Sequence, residues 1–237
     1  MRTLVALLVV VSGCDVMAGP TPAPSQTFVE KVQAAQVRMH QRFEAARRMQ
    51  LAIGLGSLNR AHDEAGLVDA MREPDFLPEW QPYVDNIRSA ARGVMAAKDT
   101  VAAARTAAQL GRQCARCHEA SHARIAFAKE VPPPRDPKLT SQMFTHQWAA
   151  ARMWEGLIAP DEDRWLQGAR TLAESRQALV AEGGRGSLGL ADDVARMRLL
   201  ATRALKPGSG DDRAVLYGEL IAACAHCHFV IRDAVAP

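Results

Sequence analysis

Two five-residue segments of this 237-residue chain bring two thiols and an imidazole onto one side of a helix. Cys114-Ala-Arg-Cys117-His118 and Cys224-Ala-His-Cys227-His228 share the pattern Cys-X-X-Cys-His. Positions i, i+3 and i+4 of a helix lie on one face, so the two thiols can add to the vinyl groups at a haem edge while the imidazole binds the iron. This is the pattern of c-type haem attachment. We therefore expect two covalently bound haem c groups, with thioethers at Cys114, Cys117, Cys224 and Cys227, and His118 and His228 as proximal iron ligands.

Paired cysteines also occur in disulfides, redox dithiols and zinc sites. A thioredoxin-like dithiol is expected beside a βαβ pattern, which this sequence does not show. A zinc site would use two Cys-X-X-Cys pairs as four ligands and leave the adjacent histidine without a role. Because the whole five-residue pattern occurs twice, at equivalent places in a repeated sequence, haem attachment is the interpretation we favour.

The elements that must position these motifs are helices. Apolar residues recur with helical periodicity, strand-like alternation is nearly absent, and proline and glycine clusters separate the segments. The pattern predicts an all-α chain made of a tandem pair of four-helix bundles, each with a haem-binding last helix. The predicted helices lie at about 27–54, 57–72, 80–97, 99–129, 139–158, 161–182, 188–206 and 210–233. The predicted units are residues 27–130 and 139–237, joined by a proline-rich linker at 131–138.

The two halves are similar in sequence, which indicates a duplication. With an offset of 110, the first motif falls on the second, Leu110 falls on Leu220, and Arg88 falls on Arg198. With an offset of 104, Met39 matches Met143, and Arg48-Met49 matches Arg152-Met153. A six-residue length difference between the second and third helices reconciles the two offsets.

Each half resembles the cytochrome c-prime-like four-helix bundles, which carry Cys-X-X-Cys-His in their last helix. In that family an arginine usually follows the histidine by four residues. Arg232 fits this pattern, whereas His122 stands at the corresponding place in the first half and departs from it. The resemblance covers residues 26–237 and implies that the first helix of each unit lines the distal face of its haem.

The identity of the sixth iron ligand stays open at this stage. Met39 and Met143 are equivalent under the 104 offset, and each lies on an apolar helical stripe. His40 and His146 begin identical His-Gln dipeptides but require a two-residue slip, and the 104 offset matches His146 with Arg42, which cannot bind iron. The third alternative is an iron without a distal protein ligand. A methionine ligand raises the potential, and an empty position admits small molecules.

The N-terminus predicts export and a membrane anchor. Met1-Arg-Thr followed by the apolar run Leu4–Val11 matches a secretory signal peptide and is too short for a permanent membrane span. Val11-Ser-Gly-Cys14 resembles the bacterial lipobox, in which the cysteine is lipidated. This predicts a signal peptide at residues 1–13, a lipid anchor on Cys14 and a proline-rich tether at residues 14–26. Cleavage after Ala18 is the alternative, and the choice of membrane is left open.

Composition narrows the functional classes. A hydrophobic content of 48% excludes a disordered chain, and a net charge of +3 does not indicate a nucleic-acid partner. Only 5% of the residues are aromatic, so we expect each porphyrin to supply core volume. The sequence predicts a periplasmic, membrane-tethered dihaem cytochrome that passes single electrons between redox partner proteins of the cell envelope, a carrier rather than an enzyme. The alternative is a haem enzyme or sensor (a peroxidase, or a protein that handles nitrogen oxides or gases) with an open distal iron site.

Overall fold

The computed structural model of the chain describes residues 26–72, 76–129, 131–133, 138–175 and 187–235. Every regular element within these ranges is helical, which confirms the all-α prediction. The predicted signal peptide and the tether up to residue 25, including Cys14, lie outside the described residues. The eight α-helices are α1 (Gln26–Gly54), α2 (Leu58–Ala70), α3 (Gln81–Met95), α4 (Thr100–Ala120), α5 (Leu139–Ile158), α6 (Glu162–Ala173), α7 (Ser187–Ala204) and α8 (Gly210–Val235). A 3-10 turn at Pro78–Trp80 leads into α3.

The predicted helix at 99–129 is wrong at its C-terminal end, because α4 stops at Ala120. The stop is a Schellman motif: the His122 N–H donates to the Glu119 carbonyl at 3.3 Å, and the Ala123 N–H donates to the His118 carbonyl at 3.0 Å. His122 adopts a left-handed conformation with φ of 51°. Glycine usually occupies this position, so the sequence carried no obvious signal for the stop.

Replacing His122 by glycine is expected to stabilise the protein by about 0.5 kcal/mol. The change removes a left-handed penalty of about 1 kcal/mol and adds an unfolded-chain entropy cost of roughly half that. Urea unfolding followed by circular dichroism measures the difference. His122→Ala keeps the penalty and should leave the midpoint nearly unchanged, and a rise with alanine equal to that with glycine would contradict the explanation.

Consecutive helices pack as neighbours within each half, and the two last helices, α4 and α8, pack against each other. In addition, α1 contacts α8 and α5 contacts α4. Small residues allow the close approach of the two last helices: a Cβ at Gly218 of α8 would lie 3.1 Å from the Arg105 Cα of α4. Buried residues from both halves form one hydrophobic cluster. The motif-bearing helices therefore lie at the centre of a shared core.

Residues that the sequence repeat matches make matching contacts. Arg88 Nε donates to the Asp69 carbonyl at 2.9 Å, and Arg198 Nε donates to the Ala173 carbonyl at 3.3 Å. The two arginines are related by the 110 offset and the two acceptors by the 104 offset. Each bond joins the third helix of its half to the end of the second helix.

The few large aromatic side chains are concentrated in the core of the second half. Trp154, Trp165 and Tyr217 are fully buried. The indole Nε1 of Trp165 donates to the Ala204 carbonyl at 2.8 Å, and the rings of Trp154 and Tyr217 are 5.6 Å apart. The largest fully buried side chains of the first half are smaller, among them Met49, Ile53 and Leu110.

The Tyr217 hydroxyl links the two halves through a buried hydrogen bond. It donates to Gln50 Oε1 at 2.9 Å, with the Ala150 carbonyl oxygen 3.2 Å away. Tyr217→Phe is expected to lower the free energy of unfolding by about 1–2 kcal/mol, because it leaves a buried acceptor without this donor. Urea unfolding checks the value against Tyr83→Phe, a change at a half-buried site that should stay within about 0.5 kcal/mol. Equal effects of the two variants would disprove the role of this bond.

One stretch of the described helices, Gly210–Ile231 in α8, is long and apolar enough to cross a membrane. Half of that stretch is buried inside the protein. The core helix of a soluble protein passes the same test of length and composition, so this stretch is only a weak indication of a membrane span.

Candidate haem-attachment sites

Each Cys-X-X-Cys-His motif lies on one of the two central helices. Cys114, Cys117 and His118 belong to α4, and the second motif occupies the matching part of α8. All four cysteines are free thiols and partly buried. Within the described residues there is thus no disulfide in either motif, and each helix presents two thiols and an imidazole on one face.

The ring of each motif histidine is held by a helix end from the opposite half. His118 Nδ1 lies 2.7 Å from the carbonyl oxygen of Ile158, the last residue of α5. His228 Nδ1 lies 2.7 Å from the carbonyl oxygen of Gly54, the last residue of α1. A carbonyl oxygen only accepts, so Nδ1 carries the proton and donates in both cases. In the neutral ring this bond places the lone pair on Nε2, the tautomer that a metal-binding histidine needs, and the bond to Nδ1 orients the ring.

The sequence argument did not predict Gly54 or Ile158 as site residues. Both contribute only a backbone carbonyl, and carbonyls in the last turn of a helix have no partner within that helix. Every residue type has a backbone carbonyl, so the identity of the residue does not reveal such an acceptor. The 104 offset relates the two positions, and this was the one available signal.

Burial suppresses ionisation of the motif thiols. It raises the pKa of Cys114 and Cys224 to about 12 and that of Cys227 to about 11, and it also raises the pKa of Cys117. The thiols are therefore neutral at pH 7 in the folded chain. They are less nucleophilic than exposed thiols, because the thiolate is the reactive form.

The two motifs have charged neighbours of opposite sign. The Arg42 guanidinium opposes the burial effect and lowers the pKa of Cys114 and Cys117. The Asp193 carboxylate raises the pKa of both cysteines of the second motif. Arg42 and Asp193 are themselves buried, with exposures of 2% and 8%.

A cavity of about 130 Å³ lies beside the second motif. Its lining is mostly apolar and comes from four helices, α1, α5, α7 and α8. The chemically relevant lining residues are Met143, His146, Asp193, Cys224, Cys227 and His228.

The structure places both distal-ligand candidates of the second half, Met143 and His146, in this cavity. His146 Nε2 lies 2.6 Å from Ser175 Oγ. Burial and the nearby charge of His228 lower the pKa of His146 to about 4, so its imidazole is neutral at pH 7. A neutral imidazole is the form that binds iron.

The candidates of the first half are placed differently. Met39 is half-buried on α1, whereas His40 is exposed. The residue that matches His146 under the 104 offset is Arg42, which is buried and acts electrostatically on the first pair of thiols. The carbonyl contacts of Gly54 and Ile158 follow the same offset. His40 and His146, which the two-residue slip would pair, lie in unlike environments.

Among the described residues, no group of three or more His, Cys, Asp or Glu side chains is arranged to hold a metal ion. The two Cys-X-X-Cys pairs thus do not combine into a four-ligand zinc site of the usual kind. A Cys-X-X-Cys-His motif in which only the histidine binds the metal does not require a cluster of three or more such side chains. Comparison of the chain with protein-family models, with curated proteins and with solved structures finds no match.

Proposed function

We propose that the chain is a dihaem c-type cytochrome that transfers single electrons in the cell envelope. One haem c is attached through Cys114 and Cys117 and the other through Cys224 and Cys227, with His118 and His228 as proximal iron ligands. The observation that carries the proposal is the Nδ1 hydrogen bond of each motif histidine to a helix-end carbonyl. Metal-binding histidines almost always donate their other ring N–H in this way.

The residues at the motifs fit a covalently held haem in chemistry and in tautomer. Two thiols and an Nε2 lone pair lie on one helix face at each site. The cavity at the second motif, about 130 Å³, is smaller than the roughly 300–1,000 Å³ typical of ligand sites. A porphyrin there would require the side chains of the cavity wall to move apart. When bound, the haem iron would supply the one-electron couple.

The protein's own contribution is to hold and orient the iron ligands. Thioethers would prevent loss of the haem, and the carbonyls of Ile158 and Gly54 would keep each imidazole in one tautomer and one orientation. Each half would form a four-helix unit, 27–130 and 139–237. The matching bonds of Arg88 and Arg198 support this repeat.

The number of haems covalently bound to each chain tests the proposal. The full chain is expressed with a c-type haem attachment system, denatured and run on a gel that is stained for haem. Two haems per chain are expected from the absorbance of the denatured, pyridine-treated protein. A chain that loses all haem on denaturation would refute the proposal.

For the sixth ligand of the second haem we propose Met143 or His146, which share the cavity with that motif. For the first haem we propose Met39 rather than the exposed His40. Low-temperature EPR of the ferric protein and the near-infrared charge-transfer band distinguish thioether from imidazole ligation. Met143→Leu and His146→Leu form a matched pair, and only the variant that removes the ligand should change the signature of that haem.

A specific observation favours a second function. At the position that matches His146, the first half has Arg42, which cannot bind iron. If Met39 does not reach the iron, the first haem has an open position, and the protein is a haem enzyme or gas sensor. Carbon monoxide added to the reduced protein then shifts the spectrum of one haem of the two, whereas a carrier with two saturated irons shows no shift.

The proposal for location is a periplasmic protein held at a membrane by a lipid on Cys14, with redox proteins of the envelope as partners and no nucleic-acid partner. It is supported by the lipobox-like Val11-Ser-Gly-Cys14 and the apolar run before it. Mass spectrometry of the mature N-terminus tests it. A lipidated Cys14 is expected, and an unmodified chain that starts at Gly19 would eliminate the anchor.

A further inference from the structure

The duplication has preserved the scaffold of the two motifs but not the charges around them. Arg42 of the first half matches His146 of the second, and Asp193 of the second half matches Tyr83 of the first. A guanidinium thus stands in the first half where the second half has a neutral imidazole. A carboxylate stands near the second motif at the position that Tyr83 occupies in the first half.

Asp193 is held against the second motif by packing and by a hydrogen bond. It lies on α7, lines the cavity together with Cys224 and Cys227, and is only 8% exposed. Its carboxylate accepts a hydrogen bond from His226 Nδ1, with distances of 2.9 and 3.0 Å to the two oxygens. His226 is itself part of the second motif, so the carboxylate is tied to the attachment segment.

Arg42 is buried near the first motif and is held by a hydrogen bond to a residue outside that motif. It lies on α1, is 2% exposed, and its Nη2 donates to the Met71 carbonyl at 3.4 Å. Its positive charge acts on both thiols of the first motif.

Buried charges of opposite sign affect an iron in opposite directions. Reduction lowers the charge of the site by one, so a nearby cation favours the reduced form and a nearby anion favours the oxidised form. Solvent and salt screen buried charges much less than exposed ones. The two sites therefore differ in the sign of a nearby buried charge. This difference shifts their reduction potentials in opposite directions.

We propose that Arg42 and Asp193 set unequal reduction potentials, so that a haem attached at Cys114 and Cys117 is reduced more easily than one attached at Cys224 and Cys227. The inference rests on the proposed haem attachment. In a protein that carries a single electron, the first site is reduced and the second stays oxidised. The duplicated chain is thus directional: an electron that enters at the second site moves to the first.

Spectroelectrochemical titration of the full dihaem protein tests this assignment. Two separate waves are expected for the natural sequence. Arg42→Gln lowers the higher wave and Asp193→Asn raises the lower one, each by at least tenfold in the reduction equilibrium, or about 59 mV for a one-electron couple. Arg42→Lys and Asp193→Glu keep the charges and should keep both waves.

Two surface variants provide the controls. Arg47→Gln removes the same charge from α1 at a side chain that is 42% exposed, and Asp192→Asn removes an exposed carboxylate next to Asp193. Both should leave the two waves in place. Coincident waves in the natural sequence, or Asp193→Asn without effect on the lower wave, would overturn the inference. Two haems with equal potentials leave the proposed function intact, whereas a chain without covalent haem overturns both.

Discussion

A Cys224→Ala/Cys227→Ala variant is expected to carry one covalently bound haem per chain in place of two. Both thiols of the second motif lie on one face of α8, and among the residues that the structure describes no other cysteine lines the cavity beside them. A haem at this site would then be held only by coordination and would leave on denaturation. The measurement is the haem-to-protein ratio after denaturation, by absorbance and by haem staining.

The matched variant at the first motif is Cys114→Ala/Cys117→Ala, for which the ratio should also fall from two to one. Cys14→Ala provides the control, because Cys14 stands outside both motifs and should change membrane attachment while leaving the haem ratio at two. A second-motif variant that keeps two covalent haems would show that these thiols are not the attachment points.

Gly168→Ala is expected to lower the free energy of unfolding by about 2 kcal/mol. A Cβ at Gly168 of α6 would lie 2.3 Å from the Ala149 carbonyl oxygen and 2.9 Å from the Met153 backbone nitrogen of α5. These are backbone atoms, so the two helices must move apart rather than a side chain rotate. Overpacking of this kind typically costs about 1–3 kcal/mol, and each kcal/mol lowers Tm by about 2–4 °C for a protein of this size.

The same substitution at Gly66 of α2 should act in the opposite direction. There the nearest atom to the added Cβ is the sulfur of Met95 at 3.6 Å, an ordinary contact. Alanine is favoured over glycine within a helix by about 0.5–1 kcal/mol, so Gly66→Ala should stabilise the protein. Thermal unfolding of the two variants side by side measures the difference, and similar Tm values for both would contradict the close approach of α5 and α6.

The helical class was predictable because it depends on local signals. Helical periodicity and the proline and glycine clusters indicated eight helical segments, and all eight predicted starts lie within one residue of the observed ones. The end of α4 was missed because His122 adopts the left-handed conformation that usually calls for glycine. The end of a helix depends on a few backbone bonds, and a histidine there resembles any exposed residue.

Side-chain type and spacing were enough to predict the motif residues of the candidate site, but not the residues that contact them from other helices. The two Cys-X-X-Cys-His motifs identify their four thiols and two imidazoles from sequence alone. Within each motif, residues at positions i, i+3 and i+4 of one helix lie on the same face. The choice between the two distal-ligand registers depended on packing between helices. The carbonyl bonds of Gly54 and Ile158 follow the 104 offset, which matches His146 with Arg42 and leaves His40 on the surface.

By itself the sequence determined the helical class and the two motifs, because each is encoded in residues near one another in the chain. It also determined the offsets that relate the halves, because these follow from aligning one half with the other. Only the tertiary structure decided that each motif histidine is oriented by the opposite half, and that a buried cation faces one motif and a buried anion the other. The physical reason is the same in both cases. Backbone acceptors and electrostatic neighbours are supplied by helices distant in sequence, and they act only once α4 and α8 have packed together in one core.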